Sequence, residues 1–418
     1  MKKILLLLIC CLLAGCAASN DTSDMSAEDI AKDTVASIIA QDYDKAYGYF
    51  NDDVKQALSV NVLKDAYEQT SAGLSGEGAI SDISQNDQGQ YLLVCDFEPQ
   101  DILFTITIQD QKIAGIFMSY TNPTLSLVDN DEFKETAIKV GEYALDGILT
   151  QPKTPAKNMP IVLLIQGSGV SDYNEMIGPN KPFEDLAYGL AAKGIASLRY
   201  NKRFYQVPES ASANYDMYDE YFDDINAAIE LIIQEGYDNI YFLGHSQGGS
   251  IAHYVAANND NIDGLILMAG TPRLLIDCMI DQIEAQLVAL GSSDIESYME
   301  PYYKAKEEIL ALENKDEEGM ILNLPKSYWY DIKETLPENY LIDIDTLVLQ
   351  GSEDFQVYPD VDYVMWQELL KDGADYILYD GLNHLFMPSI NGDASDYEVA
   401  SHVDQQVIDD IVNWIKEK

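Results

Sequence analysis

The pattern of hydrophobic and polar positions changes its period within the first 120 residues. Apolar residues such as Ile30, Val35 and Ile38 recur at helical spacing, and further along the chain apolar and polar residues alternate as in strands. Helices followed by an antiparallel sheet indicate a small α+β domain over residues 27–120. Its strands are predicted at residues 91–94, 102–106 and 113–116.

After residue 130, short apolar strands alternate with helical stretches up to the end of the chain. Runs without alternation, such as Ile161–Ile165, are typical of parallel strands that are buried on both faces of a sheet. The pattern predicts an α/β domain over residues 130–418, with a mostly parallel sheet and helices on both faces. Its strands are expected at residues 137–141, 145–149, 161–166, 196–200, 240–243, 264–268, 346–350 and 376–379.

One polar, helical segment at about residues 273–343 interrupts this alternation. It follows a strand that ends at Met268, and ligands bind at the carboxyl ends of the strands in such sheets. The segment is therefore predicted to be a helical lid. Its inner face is expected to include Met299, Tyr302, Leu310 and Leu312, with Glu307, Glu308, Glu313 and Lys315 outside.

The N-terminus has the composition of an export signal. Residues 1–15 carry two lysines and then an apolar run that is too short to span a hydrocarbon core of about 30 Å. Leu-Ala-Gly-Cys at residues 13–16 resembles the lipobox of bacterial lipoproteins, in which the cysteine is diacylated. We expect a signal peptide at 1–15, lipidation of Cys16, a tether at 16–26 and an extracytoplasmic, lipid-anchored protein. A permanent transmembrane anchor is the alternative.

Charge and cysteine content narrow the function classes. The chain of 418 residues has 71 acidic and 25 basic residues, giving a formal net charge of −46, which excludes a sequence-independent nucleic-acid binder. Beyond the signal and Cys16, only Cys95 and Cys278 remain, in different predicted domains, so buried free thiols are expected rather than a disulfide. No CxxC or His/Cys cluster indicates a structural metal site.

The main chemical motif is Gly-His-Ser-Gln-Gly at residues 244–248, which follows an apolar strand and leads into a helical stretch. Serine is a poor nucleophile unless a tight turn exposes it beside a base, and the flanking glycines remove side chains that would clash at that turn. The motif predicts that Ser246 is a nucleophile.

A general base is then required, and the elbow predicts the chain order serine, acid, histidine. The chain has four histidines. His245 is expected to point away from the partners of the nucleophile, His253 to be a packing or surface residue, and His402 to be satisfied locally or to cap the last helix. His384, in the loop after the last predicted strand, is left as the base.

The orienting acid is expected at the end of the preceding strand. The strand at 346–350 leads into Gly-Ser-Glu-Asp, where a carboxylate could accept the Nδ1 proton of the base. Asp354 is the first choice and Glu353 the reserve. Position at the end of the strand carries this inference, because acidic residues are abundant everywhere in the chain.

An oxyanion requires backbone donors. One is expected from Gln247, after the nucleophile, and one from Ser168 in the Gln-Gly-Ser-Gly loop at 166–169. A glycine turn without a catalytic role is the alternative for that loop. Asp172 and Arg203 could pair and brace the loop, or form a solvated pair without a role.

Together these motifs make the segment from about Glu135 to Lys418 resemble the serine α/β-hydrolase superfamily, in particular its esterase and dienelactone-hydrolase-like members with a helical lid. The resemblance implies a triad of Ser246, Asp354 and His384, an acyl-serine intermediate, and no metal or organic cofactor. Many relatives have histidine where this chain has Gln166. Residues 27–120 resemble a small cone-like domain of unknown function that precedes hydrolase domains in some bacterial lipoproteins.

Three functions fit these features. The first is an exported, lipid-anchored serine hydrolase acting on small carboxylic esters, the second a peptidase or acyltransferase on the same triad. The third is a surface lipoprotein that binds a ligand without catalysis. The natural substrate and the oligomeric state stay open. Lid residues that suggest an apolar or aromatic pocket, or alternatively the core of the lid, are Tyr298, Met299, Tyr302, Tyr303, Tyr328, Trp329 and Tyr330.

Overall fold

The computed structural model describes the chain from residue 25 onward, except for residues 52–53, 56–58, 72–73, 87–88, 98–99, 122–124, 126, 290 and 293. The predicted signal peptide, Cys16 and most of the tether lie outside the described residues. Contacts divide the chain into two compact units between residues 126 and 127. In the described part, no helix is long and apolar enough to cross a bilayer.

The N-terminal unit packs helices on one antiparallel sheet. Helix α1 begins after Ser26, whose hydroxyl accepts a hydrogen bond from the Asp29 N–H and so caps a free backbone donor. Ile30 and Ile38 of α1 pack in one core with Phe104 of the sheet. The sheet has the order β1-β2-β3-β4. The elements are α1 Ala27–Ile39, α2 Tyr43–Gly48, α3 Val60–Thr70, β1 Ile80–Gln85, β2 Tyr91–Cys95, β3 Ile102–Gln109 and β4 Lys112–Tyr120.

The C-terminal unit is built on an eight-stranded sheet of order β14-β13-β10-β9-β7-β8-β6-β5. The strands from β14 to β8 run parallel, and β6 and β5 add an antiparallel edge. The predicted fold class, with its separate N-terminal α+β domain, is confirmed. The strands are β5 Phe133–Val140, β6 Leu145–Pro152, β7 Ile161–Ile165, β8 Ala196–Tyr200, β9 Ile240–His245, β10 Gly264–Met268, β13 Asp345–Gly351 and β14 Asp375–Tyr379.

Helices cover both faces of this sheet, which explains the unbroken apolar strands. Successive side chains of a strand point to opposite faces. In β7, Leu163 packs in the core that holds Ile229 of helix α6, while Leu164 packs in a second core with Phe183 of α4 and Ile411 of α13. The helices of this unit outside the lid are α4 Pro182–Ala192, α5 Arg203–Gln206, α6 Asp223–Gln234, α7 Gln247–Ser250, α8 Ala252–Ala257, α12 Val364–Leu370 and α13 Gln405–Glu417.

The predicted lid segment forms its own helices between β10 and β13. Met299 and Ile309 are buried in it, whereas Leu310 is 53% exposed. The expected inward position of Leu310 is therefore wrong, because the buried stripe of this helix passes through Ile309 and places its neighbour on the solvent side. The lid elements are α9 Leu275–Ala289, α10 Ile295–Ala311, β11 Met320–Ile321, β12 Leu324–Pro325 and α11 Lys326–Glu334.

The two cysteines after the predicted lipidation site lie in different units. Cys95 is buried at the end of β2 and Cys278 is buried in α9, and both are free thiols. Burial raises the pKa of both thiols to about 12, so neither is a reactive thiolate at neutral pH.

Candidate active site

The candidate nucleophile lies on a sharp turn between β9 and α7. Ser246 has φ 52° and ψ −120°, a conformation that non-glycine residues rarely adopt, and its N–H donates to the Met268 carbonyl over 2.8 Å. A Cβ on Gly244 would lie 2.2 Å from the Gly248 carbonyl carbon, and one on Gly248 would lie 2.5 Å from the Ile165 oxygen. Both glycines are therefore required for the elbow to form.

The predicted base and acid contact each other. His384, in the loop after β14, places Nδ1 2.8 Å from Oδ2 of Asp354, which follows β13. Both side chains are buried, whereas Glu353 is exposed. The carboxylate of Asp354 also accepts hydrogen bonds from the Gln350 side chain and from the N–H groups of Gln356 and Val357. Of the two candidate acids, Asp354 has the geometry of the orienting residue.

The candidate oxyanion loop lies against the nucleophile. A Cβ on Gly167 would come within 3.0 Å of Ser246 Cβ and 3.5 Å of Ser246 Oγ. In the described part of the chain, no hydrogen bond occupies the N–H of Ser168 or that of Gln247. Both predicted donors are therefore free, and the Gly167–Ser168 segment lies beside the serine hydroxyl.

Gln166 supports the base of this loop. Its buried side chain donates to the carbonyl oxygens of Tyr200, over 2.5 Å, and Asp172, over 3.2 Å. Gln166 therefore links the backbone of the loop, at Asp172, to the end of β8, at Tyr200.

The suggested pairing of Asp172 with Arg203 is wrong. Asp172 Oδ1 accepts the N–H groups of Met176 and Asn174 within its own loop, and burial raises its pKa to about 6. Arg203 starts a helix that directs its guanidinium to Asp224, with Nε and Nη2 at 3.0 and 2.9 Å from the carboxylate oxygens.

Glu175 is a residue that the sequence analysis missed. It has φ 51°, is buried, and its Oε1 accepts the N–H of Gly167 over 2.6 Å. Its Oε2 lies 3.0 Å from Nδ1 of His245, and His245 Nε2 lies 2.9 Å from the His384 carbonyl oxygen. No sequence signal singled out Glu175 among so many acidic residues.

The expectation that His245 points away from the partners of the nucleophile is therefore wrong, because its ring lies against His384. Burial lowers the pKa of His245, but the Glu175 carboxylate and the His384 carbonyl more than reverse this and raise it above its ordinary value. The contact of Nδ1 with Glu175 is an ion-pair contact without hydrogen-bond geometry, whereas Nε2 faces the His384 carbonyl oxygen, so an imidazolium at His245 would connect the oxyanion loop to the loop of the candidate base. A neutral ring in the low-dielectric interior would leave one of these contacts without a proton.

The other two histidines have structural roles. His253 is buried and stacks on Trp366 with ring centroids 5.6 Å apart, and burial lowers its pKa to about 4. His402 is 87% exposed and bonds to Asp185 over 2.9 Å.

Among the lid aromatics, Tyr328 reaches the elbow. Its buried hydroxyl accepts a hydrogen bond from Gln247 Nε2 over 3.2 Å. Trp329 is buried within the lid and donates to the Ile321 carbonyl, while Tyr298 and Tyr303 are exposed. In the described residues, no group of His, Cys, Asp and Glu side chains is arranged to hold a metal ion.

Comparison with known proteins places this chain in a family. The model of the serine aminopeptidase S33 hydrolases matches residues 177–388, which include Ser246, Asp354 and His384. Esterase EstD of Thermotoga maritima is 30% identical over 397 residues, covering 91% of this chain and 93% of EstD.

The chain is also similar to solved esterases, at lower sequence identity. Est1E from Butyrivibrio proteoclasticus has 16% identity and a TM-score of 0.44, covering 68% of this chain and 99% of its own. The esterase domain of a Rhodothermus marinus protein has 12% identity and a TM-score of 0.41, covering 68% of this chain and 98% of its own. From the family match and the similarity to EstD, the chain belongs to the serine aminopeptidase S33 family of α/β-hydrolases and is an esterase-like serine hydrolase.

Proposed function

We propose that this protein is an exported, lipid-anchored hydrolase that cleaves small carboxylic esters through an acyl-serine intermediate at Ser246. The observation that carries the chemistry is the contact of 2.8 Å between His384 Nδ1 and Asp354 Oδ2. The carbonyl oxygen of His384 also contacts His245, the residue before Ser246. Ester substrates are supported by the similarity to esterase EstD, which covers 91% of this chain and 93% of EstD.

In the acylation step, Ser246 Oγ attacks the ester carbonyl carbon while Nε2 of His384 accepts its proton. Asp354 holds Nδ1–H of His384, which fixes the tautomer and stabilises the imidazolium that forms. The three donors on Asp354 keep that carboxylate oriented. His384 then protonates the leaving alcohol.

The negative oxygen of the tetrahedral intermediate is bound by the N–H groups of Ser168 and Gln247. The free state of both donors and the close approach of Gly167 to Ser246 support this assignment. Backbone donors fixed by their loops need no reorganisation when charge develops, which is why such sites stabilise the transition state. Deacylation repeats the sequence with water in place of the serine hydroxyl.

Lipidation of Cys16 and an extracytoplasmic location form the second part of the proposal. The support is the signal-like composition of residues 1–15 and the lipobox-like sequence at 13–16. Two acyl chains give stable membrane attachment, whereas one gives only marginal binding. Cells fed an alkynyl fatty acid should yield a labelled protein in the membrane fraction, and Cys16→Ala should abolish the label.

Peptide hydrolysis on the same triad is the second candidate, favoured by the family description as serine aminopeptidases. The two substrate classes separate in a direct comparison of kcat/KM for 4-nitrophenyl acetate and for aminoacyl 4-nitroanilides. We expect the ester to be preferred by at least about 100-fold. A preference for the anilides would assign the protein to the peptidases instead.

The triad is tested by labelling the full-length protein in detergent with a fluorophosphonate probe. The parent is expected to react once per chain, and Ser246→Ala and His384→Ala to lose the label. Ser250→Ala, one helical turn after the nucleophile, is the matched control and should keep it. A folded parent that does not react would favour a non-catalytic binding protein.

A further inference from the structure

The peptide group between Gly167 and Ser168 is held from behind by a buried cation. The carbonyl oxygen of Gly167 accepts hydrogen bonds from Nζ of Lys202, over 3.0 Å, and from the hydroxyl of Tyr221, over 2.5 Å. This carbonyl belongs to the same amide as the Ser168 N–H, the proposed oxyanion donor. Because carbonyl and N–H point in opposite directions across a trans peptide, fixing one side orients the other.

Lys202 is an unusual residue in its position. It is 2% exposed, and it is the only buried lysine in the part of the chain that the structure describes. Its three ammonium protons have three acceptors: the Gly167 carbonyl, Glu220 Oε1 at 2.5 Å and the Tyr221 hydroxyl oxygen at 2.7 Å. Burial lowers the pKa of Lys202 and the Glu220 carboxylate opposes that shift.

A buried ion pair is an expensive way to satisfy one carbonyl oxygen. Removing two charges from water costs several kcal/mol per ion, and well-packed apolar residues often give equal or greater stability. A neutral donor would satisfy the Gly167 oxygen without that penalty. The charge therefore points to a task that a neutral group performs less well.

That task is polarisation of the amide. A positive donor on the carbonyl oxygen draws electron density from the amide nitrogen and makes its N–H a stronger donor, as in any chain of hydrogen bonds in a low-dielectric interior. The effect grows when the N–H meets an anion, so it acts more on the tetrahedral oxyanion than on the neutral ester. Glu175 accepts the N–H of Gly167, so both backbone polar groups of this glycine are hydrogen-bonded.

We propose that Lys202, with Tyr221, is a positioning residue that acts through the Gly167–Ser168 peptide to orient and strengthen the Ser168 N–H toward the oxyanion. The same network extends toward the second donor residue, since Tyr221 Oη lies 3.4 Å from Gln247 Oε1. This inference rests on the proposed ester hydrolysis and adds a residue that does not touch the substrate.

The test replaces the ion pair as a unit. Lys202→Met combined with Glu220→Gln removes the charge on the carbonyl without leaving an unpaired buried carboxylate. We expect kcat for an ester to fall about 10- to 100-fold, somewhat less than the loss of a whole oxyanion donor, with KM changed by less than about 3-fold. The inhibition constant of a trifluoromethyl ketone, whose oxyanion occupies the same donors, should rise by the same factor as kcat/KM falls.

A neighbouring ion pair gives the matched control. Arg203 and Asp224 are also buried and paired, but neither contacts the Gly167 carbonyl. Arg203→Met combined with Asp224→Asn should lower the melting temperature by a similar amount and leave kcat and the ketone affinity within about 3-fold. Tyr221→Phe keeps the charge and removes the hydroxyl that donates to the Gly167 carbonyl and accepts from Lys202. It should give a smaller loss of about 3- to 10-fold in both quantities.

Three results would overturn the inference. They are a folded Lys202 double variant with unchanged kcat, a loss of kcat without weaker ketone binding, and an equal loss in the Arg203 control. Tyr221→Phe decides the matter if the Lys202 variant does not fold, because unchanged kcat and ketone binding in that variant would also refute polarisation. Failure of the parent itself to hydrolyse esters or to react with a fluorophosphonate would instead refute the proposed function.

Discussion

Two halves of the site are supported in different ways. On the β13 and β14 side, His384 is held by Asp354, and Asp354 is held by neutral donors, a glutamine side chain and two backbone N–H groups. On the β7 and β8 side, the oxyanion loop is held by charged residues, with Glu175 on the Gly167 N–H and Lys202 on the Gly167 carbonyl. Charge is therefore placed behind the half of the site where we expect the negative oxygen to develop.

The neutral and the charged supports also differ in how much stability is lost when one of their groups is removed. A neutral hydrogen bond contributes about 1 kcal/mol to stability, and its loss leaves a modest defect. Breaking a buried ion pair by removing one partner leaves an uncompensated charge and costs about 3–5 kcal/mol. Variants on the oxyanion side must therefore remove charges in pairs, or keep the shape of the residue, if activity is to be measured on a folded protein.

The largest expected effect on kcat comes from the side of the site where neutral donors hold Asp354. Asp354→Asn keeps the shape of the acid but cannot hold His384 in the required tautomer, and we expect kcat to fall about 10³- to 10⁴-fold. Steady-state ester hydrolysis checks this, with Glu353→Gln as the matched control because that carboxylate is exposed. Equal losses in both variants would remove the distinction between the two acids.

The next largest effect on kcat is expected for Glu175, on the side of the site that charged residues support. Glu175→Gln keeps a group that can accept the Gly167 N–H but removes the charge that stabilises protonated His245, so we expect kcat to fall about 10- to 100-fold. KM should change little. Glu184→Gln, in the helix that follows this loop, is the control. An unchanged kcat would show that the charge of Glu175 does not support the loop.

A stability measurement then tests the buried carboxyl of the same loop. The pKa of Asp172 is raised to about 6 by burial, above its ordinary value of about 3.9. A raised folded-state pKa contributes stability below the unfolded-state pKa and loses it as the pH rises through about 6. Asp172→Asn, which can still accept two N–H bonds, should therefore raise the melting temperature by about 2–6 °C at pH 8 and by nearly nothing at pH 4.

Differential scanning calorimetry at the two pH values measures this difference. A melting temperature that is lowered by the variant at pH 8 would mean that the charged form of Asp172 is favoured by the fold, contrary to the direction of its pKa.

The smallest effect distinguishes backbone from side chain in the oxyanion loop. Ser168→Ala removes a hydroxyl and keeps the N–H that we assign to the oxyanion, so kcat/KM should stay within about 3-fold of the parent. A loss of 100-fold or more would move the role from the backbone of Ser168 to its side chain.

The positions of Ser246, Asp354 and His384 were predictable from the sequence, because each of these residues follows the end of a strand in a fixed order. The strand–Gly-His-Ser-Gln-Gly–helix pattern placed Ser246, and the loops after the last two strands placed Asp354 and His384. The strands themselves were predicted to within a few residues, since buried parallel strands are continuous apolar runs. The short polar strand β1 was missed because only Ile80 and Ile83 interrupt its polar sequence.

The charged residues that support the oxyanion loop, Glu175 and Lys202, could not be predicted. Nothing local in the sequence tells which charged residues become buried together. Glu175 is one of 71 acidic residues, and Lys202 was passed over in favour of its neighbour Arg203. Only the fold shows which of these two neighbouring side chains reaches the oxyanion loop. Arg203 contacts Asp224, and Lys202 contacts the Gly167 carbonyl. His245 was misjudged for the same reason, as its partners come from two distant loops.

The central claim is that Ser246 is a nucleophile that becomes acylated during ester hydrolysis. The most direct measurement mixes the full-length protein with 4-nitrophenyl acetate, quenches it in acid within milliseconds and analyses the digested chain by mass spectrometry. We predict a burst of one nitrophenolate per chain and an acetyl group on Ser246. Turnover without an acetylated serine, or with the acetyl group on another residue, would contradict the account.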